Sequence, residues 1–132
     1  MKKIFILYIL FTSSVLAEST INSYSHSELI TLAKNFITTL ERSKNTNSYE
    51  VTPDMIIKYG EFKGYVKSYL DFAQNSEYSE IIRVCVTKKT STDIAIGVGD
   101  ILSKSKTDRS LPPHLIFATT VVAFCEVSTS LE

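Results

Sequence analysis

The pattern of apolar and polar positions first becomes regular at "SHSE", residues 25–28, followed by Leu29, Leu32, Ala33, Phe36, Ile37 and Leu40. Apolar residues recurring three and four apart line one face of a helix. The Ser-x-x-Glu quartet fits a capping box, in which each end satisfies a free backbone N–H of the other. Together they predict a helix over about 26–43, followed by the polar loop "SKNTNS", 43–48.

"TPDM", 52–55, is a second helix start. Thr52 suits the cap, Pro53 the first turn, and Asp54 the positive end of the dipole. Met55, Tyr59, Phe62, Val66, Tyr69 and Ala73 then form one apolar stripe, which Tyr65, Leu70 and Phe72 widen. Glu61, Lys67, Ser68 and Asp71 take the opposite side, so a helix over about 53–75 is expected to bury its stripe in the core. Gly60 and Gly64 lie on the back of this helix, and each costs up to about 1 kcal/mol relative to alanine. A close helix crossing inside the fold is the first explanation, and a partner's approach the second.

The next segment fits two periods. "EIIRVCV" and "DIAIGVGDI" both alternate, which reads as a hairpin around 80–98 closed by "TKKTST". Thr90, Ser91 and Thr92 each suit a helix cap, however, and Ile94, Val98, Ile101 and Leu102 also share a helical face. Gly97 and Gly99 weaken the helical reading, and period alone leaves both open. "SKSKTDRS", 103–110, is a charged loop. "LPPHLIFATTVVAFC" opens on two prolines, which suit a helix start and not a central strand, and it is apolar nearly all round.

The start of the chain changes the picture. "MKKIFILYILFTSSVLAEST" has the charged end, short apolar run and small residues of a secretory signal peptide, with cleavage expected after Ala17. The two-lysine start looks bacterial, so the expected location is the periplasm. Removal of residues 1–17 leaves 18–132, enough for one domain. The formal balance of 14 basic and 14 acidic residues loses Lys2 and Lys3 and becomes slightly acidic. Such a balance supplies no basic field for nucleic acid or for an anionic membrane surface.

In an oxidising compartment, Cys85 and Cys125 read as one disulfide. A closed loop of about forty residues is worth roughly 4 kcal/mol by chain entropy. Two cysteines and two distant histidines are too few for a structural zinc, and no cofactor is expected.

The search for catalytic groups returns little. His26 and His114 read as exposed helix-start residues, and Asp71, Asp93 and Asp100 as solvated carboxylates that could approach one another. "GVGD", 97–100, lacks the lysine and the spacing of a phosphate loop. The expectation is a protein that is not an enzyme. The aromatic stripe is expected in the core, with any exposed tyrosine available as an interface anchor.

"GYVKSYLD", 64–71, resembles the Gly-Tyr-Val-x-Gly-Val-x-Asp helix motif of the Rap/Tai immunity proteins, through Gly64, Tyr65, Val66 and Asp71. Cys85, Thr90, a segment ending at Leu102, a polar loop and an apolar run from Leu115 to Cys125 follow in that family's order. Ser68 stands at the motif's second glycine; Val86-Thr87 lacks the usual proline after the first cysteine, and no proline separates Phe124 from Cys125.

The resemblance implies a small all-α bundle of about four to five helices with one disulfide, and it turns 93–102 towards helix. It also implies a homodimer that plugs the catalytic cleft of a peptidoglycan amidase delivered by type VI secretion, a cysteine–histidine enzyme. The loop 103–113, with Lys104, Lys106, Asp108 and Arg109, is the expected contact; 44–50 and the back of the Gly64 helix come next. An acid-stress chaperone of HdeA-like type, equally small, helical and disulfide-linked, is the alternative.

Overall fold

The computed structural model describes residues 24–45, 50–76, 79–105 and 111–130. These form α1 (His26–Lys44), α2 (Pro53–Ala73), α3 (Ser79–Lys88), α4 (Ser91–Lys104) and α5 (Pro113–Ser130). Among the described residues there is no strand. Residues 1–17, expected to be a leader, lie outside them. No helix among them is long and apolar enough to cross a membrane.

Local signals set the helix starts. The Ser25 hydroxyl accepts from the Glu28 backbone N–H while the Glu28 carboxylate accepts from that of Ser25, closing the expected capping box on α1. Thr52 caps α2 by accepting from the Met55 N–H. The same reciprocal pair forms between Thr90 and Asp93 at the head of α4. An N-cap of this type contributes about 1 kcal/mol.

The Thr90 cap also explains why the hairpin reading of 80–98 fails. With the cap in place, Ile94, Ala95, Val98 and Leu102 fall on one buried helical face, while Ile96 is only half-buried. An alternating strand would have put Ile94, Ile96 and Val98 together and Ala95 on the other side.

α4 is the central element, packed against α1, α2 and α5, while α3 leans mainly on α5. The core gathers Leu29, Ala33 and Phe36 from α1 with Phe62, Val66 and Leu70 from α2. Ile82 and Cys85 from α3 and Phe117, Val121 and Cys125 from α5 complete it. Each large apolar side chain fully buried in this way contributes about 1.5–3 kcal/mol. Aromatic rings join the layers: Phe36 lies 4.6 Å from Tyr59 and 4.9 Å from Phe62, centroid to centroid. The Cys85–Cys125 disulfide bonds α3 to α5, and both residues are fully buried.

Two expectations need correction. Phe72 does not widen the core stripe of α2; it is 57% exposed, because it points about 100° away from Ala73, onto a side that no described helix covers. Among the described residues, no close crossing forms at Gly60 and Gly64, since a Cβ built at either meets none of them within 4 Å. The crossing lies instead at Gly97 and Gly99, where added Cβ atoms would sit 2.1 Å from the Phe124 ring and 3.0 Å from that of Phe36. The glycines that weaken α4 as an isolated helix are those that let it occupy the centre of the bundle.

Candidate functional site

The loop nominated by the sequence begins later than expected. Ser103 and Lys104 belong to the last turn of α4, where Lys104 Nζ lies 2.8 Å from an Asp100 carboxylate oxygen. A basic side chain there also complements the negative end of the helix dipole. An exposed i,i+4 pair of this kind is worth only about 0.3–0.5 kcal/mol. Lys106, Asp108 and Arg109 lie outside the described residues. The two ends are defined: the Ser105 N–H bonds back to the Leu102 carbonyl, and Pro112 accepts from the Leu115 N–H at the head of α5.

The four motif residues divide between two environments. Val66 is fully buried. Tyr65 is half-buried, its ring packed edge-on at 4.6 Å from Phe117 and 5.2 Å from Tyr24. Gly64 and Asp71 face outward, with Asp71 held 3.1 Å from Lys67. One half of the motif thus builds the fold, and the other half shapes a surface.

The sequence nominates that surface as the back of the Gly64 helix, but without the apolar residues that it carries. Ile56, Ile57 and Phe72 are 59%, 68% and 57% exposed, and between them run the bare backbone of Gly60 and Gly64 and the small Ser68. The signal was present: Ile57, Gly60, Gly64 and Ser68 recur at helical spacing opposite the core stripe.

Two open grooves among the described residues lie along the bundle. One, of about 610 Å³, runs between α3 and α5 over Ile81, Val84 and Val127, with Glu80, Lys88 and Glu126 at its rim. The other, of about 490 Å³, lies between α1 and α2 and is lined by Tyr24, Glu28, Asn35, Lys58 and Glu61. Here the Tyr24 hydroxyl donates to the Glu61 carboxylate. Burial, reinforced by that carboxylate, pushes the Tyr24 phenol up to about 12. Burial also raises the Tyr65 phenol above its ordinary value.

The remaining candidates stay apart. Asp71 pairs with Lys67, Asp100 with Lys104, and Asp93 closes the α4 capping box. Neither histidine is fully exposed as expected: both are half-buried, and His114 Nδ1 is enclosed with no hydrogen-bond partner among the described residues. Among the described residues, no group of three His, Cys, Asp or Glu side chains is placed to hold a metal ion. What these surfaces offer is apolar contact area bordered by charge. Comparison of the chain with protein-family models, with characterised proteins and with solved structures yields no match.

Proposed function

We propose that this chain is a periplasmic immunity protein that binds a type VI secretion peptidoglycan amidase and occludes its active-site cleft. The observation that carries the reading is the order of features over residues 64–125. Gly64-Tyr65-Val66 and Asp71 come first, then Cys85, Thr90, a helix through Leu102, a polar loop, and an apolar helix containing Cys125. Two properties of the fold support it. Thr90 caps a helix, and the two cysteines in that order are bonded to each other. An inhibitor that works by occlusion brings no catalytic group of its own. It does need a segment held in its bound shape, since preorganisation removes ordering cost from binding. The disulfide and the two helices on either side of 105–112 provide such a frame.

The test uses the chain without residues 1–17 and the amidase encoded beside its gene. Stoichiometric loss of cross-link hydrolysis is expected, and undiminished hydrolysis by the amidase overturns the reading. Replacing Lys104, Lys106, Asp108 and Arg109 with alanine is expected to leave the circular dichroism intact and to abolish inhibition. Each charge desolvated in a cleft carries roughly 2–5 kcal/mol. Intact folding with unchanged inhibition moves the contact to 44–50 or to the outer face of α2. Suppression of aggregation of many unrelated proteins at low pH, without amidase inhibition, favours the HdeA-like chaperone instead.

A further inference from the structure

We propose that the Cys85–Cys125 disulfide is a redox latch on α3. When a dithiol reduces the bond, residues 79–88 leave the bundle, while α1, α2 and α4 keep their mutual packing. This device is separate from the function proposed above, and its test needs no amidase.

The placement of α3 is the first observation. α1, α2 and α4 each pack on the other two, whereas α3 rests on α5 and, less closely, on α2. Among its described side chains only Ile82 and Cys85 are fully buried, and Cys85 is the residue that carries the bond. The helices before and after it are closed off without its help. Ser76 donates its N–H to the Ala73 carbonyl at the end of α2, and the Thr90–Asp93 capping box starts α4. Departure of α3 therefore leaves both of these ends intact.

The second observation is a conflict within the segment itself. With 10 residues, α3 is shorter than the roughly 12–15 at which an isolated helix becomes even marginal in water. Ile81, Ile82, Val84, Val86 and Thr87 are β-branched, which lowers helix preference along half of its length. The segment also alternates as a strand does, and an extended backbone sets Ile82, Val84 and Val86 on one face. Local preference thus opposes the helix, and packing on α5 sustains it. The bond secures that packing by tying Cys85 to Cys125, 40 positions along the chain.

The chemistry is thiol–disulfide exchange. A thiolate of the dithiol attacks one sulfur, and the dithiol leaves as its own disulfide; its two electrons and two protons end on Cys85 and Cys125 as free thiols. Both cysteines are fully buried, so attack waits for α3 to open. A disulfide oxidant reverses the exchange and closes the latch. The shut form therefore belongs to oxidising surroundings.

The experiment is amide hydrogen exchange, read by mass spectrometry of proteolytic fragments. It compares the chain without residues 1–17 at neutral pH, with and without excess dithiothreitol. In the oxidised chain all five helices are expected to be protected. In the reduced chain 79–88 should exchange like an unstructured segment, and α1, α2 and α4 about a hundredfold or more slowly than that. Cys85→Ser combined with Cys125→Ser should give the reduced pattern in either buffer, which assigns the change to the bond and not to the reagent. Val84→Leu combined with Thr87→Ala raises helix preference and should increase the residual protection of reduced α3 about fivefold. Retained protection of 79–88 in the reduced chain overturns the latch. Loss of protection in all helices together also overturns it, since the bond then supports the whole fold. No gain from the Val84→Leu and Thr87→Ala pair overturns the part given to helix preference.

Discussion

Two pairs of helical glycines in this molecule face opposite situations. Gly97 and Gly99 sit in the central helix under aromatic rings, with Phe124 2.1 Å, Phe36 3.0 Å and Phe62 3.1 Å from where a Cβ would be. Gly60 and Gly64 sit in α2 with open space above them. Each glycine carries the same intrinsic penalty of up to about 1 kcal/mol. At the inner pair, the penalty is offset within the chain, because the missing side chains let three neighbouring helices close on α4. At the outer pair no contact among the described residues offsets it. A helical glycine therefore announces a close approach, while what approaches is decided by residues far away in sequence.

The largest expected effect contrasts two phenylalanines on the two sides of α2. Phe62 is fully buried against Phe36, and Phe72 is 57% exposed. Phe62→Ala should destabilise the fold by about 3–5 kcal/mol in urea unfolding. Phe72→Ala should stay within about 0.5 kcal/mol under conditions where the chain is monomeric. Equal effects would erase the distinction between an inner and an outer face. Next is the disulfide. Cys125→Ala should cost about 2–5 kcal/mol, because it frees a loop spanning a sequence separation of 40 residues and uncouples α3 from α5. Mass analysis of the wild type under non-reducing conditions should show both thiols protected from alkylation.

The third measurement makes the same chemical change at both glycine pairs. Gly99→Ala inserts a methyl group against two fully buried rings that already pack on each other, and overpacking of this kind costs about 1–3 kcal/mol. The gain in helix propensity only partly offsets it, so net destabilisation is expected. Gly64→Ala meets no neighbour and should stabilise an isolated subunit by up to about 1 kcal/mol. If both substitutions shift the urea midpoint in the same direction, helix propensity alone governs these sites and the packing contrast is wrong.

Much of the fold was legible because its signals are local. Ser25 with Glu28, Thr52 with Pro53, and Thr90 with Asp93 lie within one turn of the bonds they make. The core stripe of α2 was legible for a related reason, since a long amphipathic helix repeats its period many times. The segment 80–102 was not, because Ile94, Ile96 and Val98 satisfy both a strand and a helix. What separates the two is the burial of Ala95 beside the half-burial of Ile96, a tertiary outcome. The candidate site was less legible still. Lys104 looked like a loop residue because Ser103 and Ser105 surround it, yet its pairing with Asp100 keeps it in the helix. The exposure of Phe72 followed from the absence of a helix along one flank of α2, which no spacing within α2 could express.

The smallest expected effect tests whether the residues before α1 are joined to the outer face. Tyr24 reaches across to α2, donating its hydroxyl to Glu61 while its ring sits 5.2 Å from that of Tyr65. Burial first, and the Glu61 carboxylate second, raise its phenol from 10.0 to about 12. The folded state therefore favours the neutral phenol more strongly than the unfolded state does. The resulting stabilisation is fully present below about pH 10 and is lost as pH climbs towards about 12, because the unfolded chain releases its proton first. Tyr24→Phe retains the ring but removes both the hydrogen bond and this titration. The difference in urea midpoint between wild type and Tyr24→Phe should be larger at about pH 9 than at about pH 11. Tyr65, also raised by burial, adds a slope of the same sign in both proteins. A difference that is constant across this window would show that the fold does not hold the Tyr24 phenol neutral. The link between Tyr24 and Glu61 would then contribute nothing to the stability of the fold.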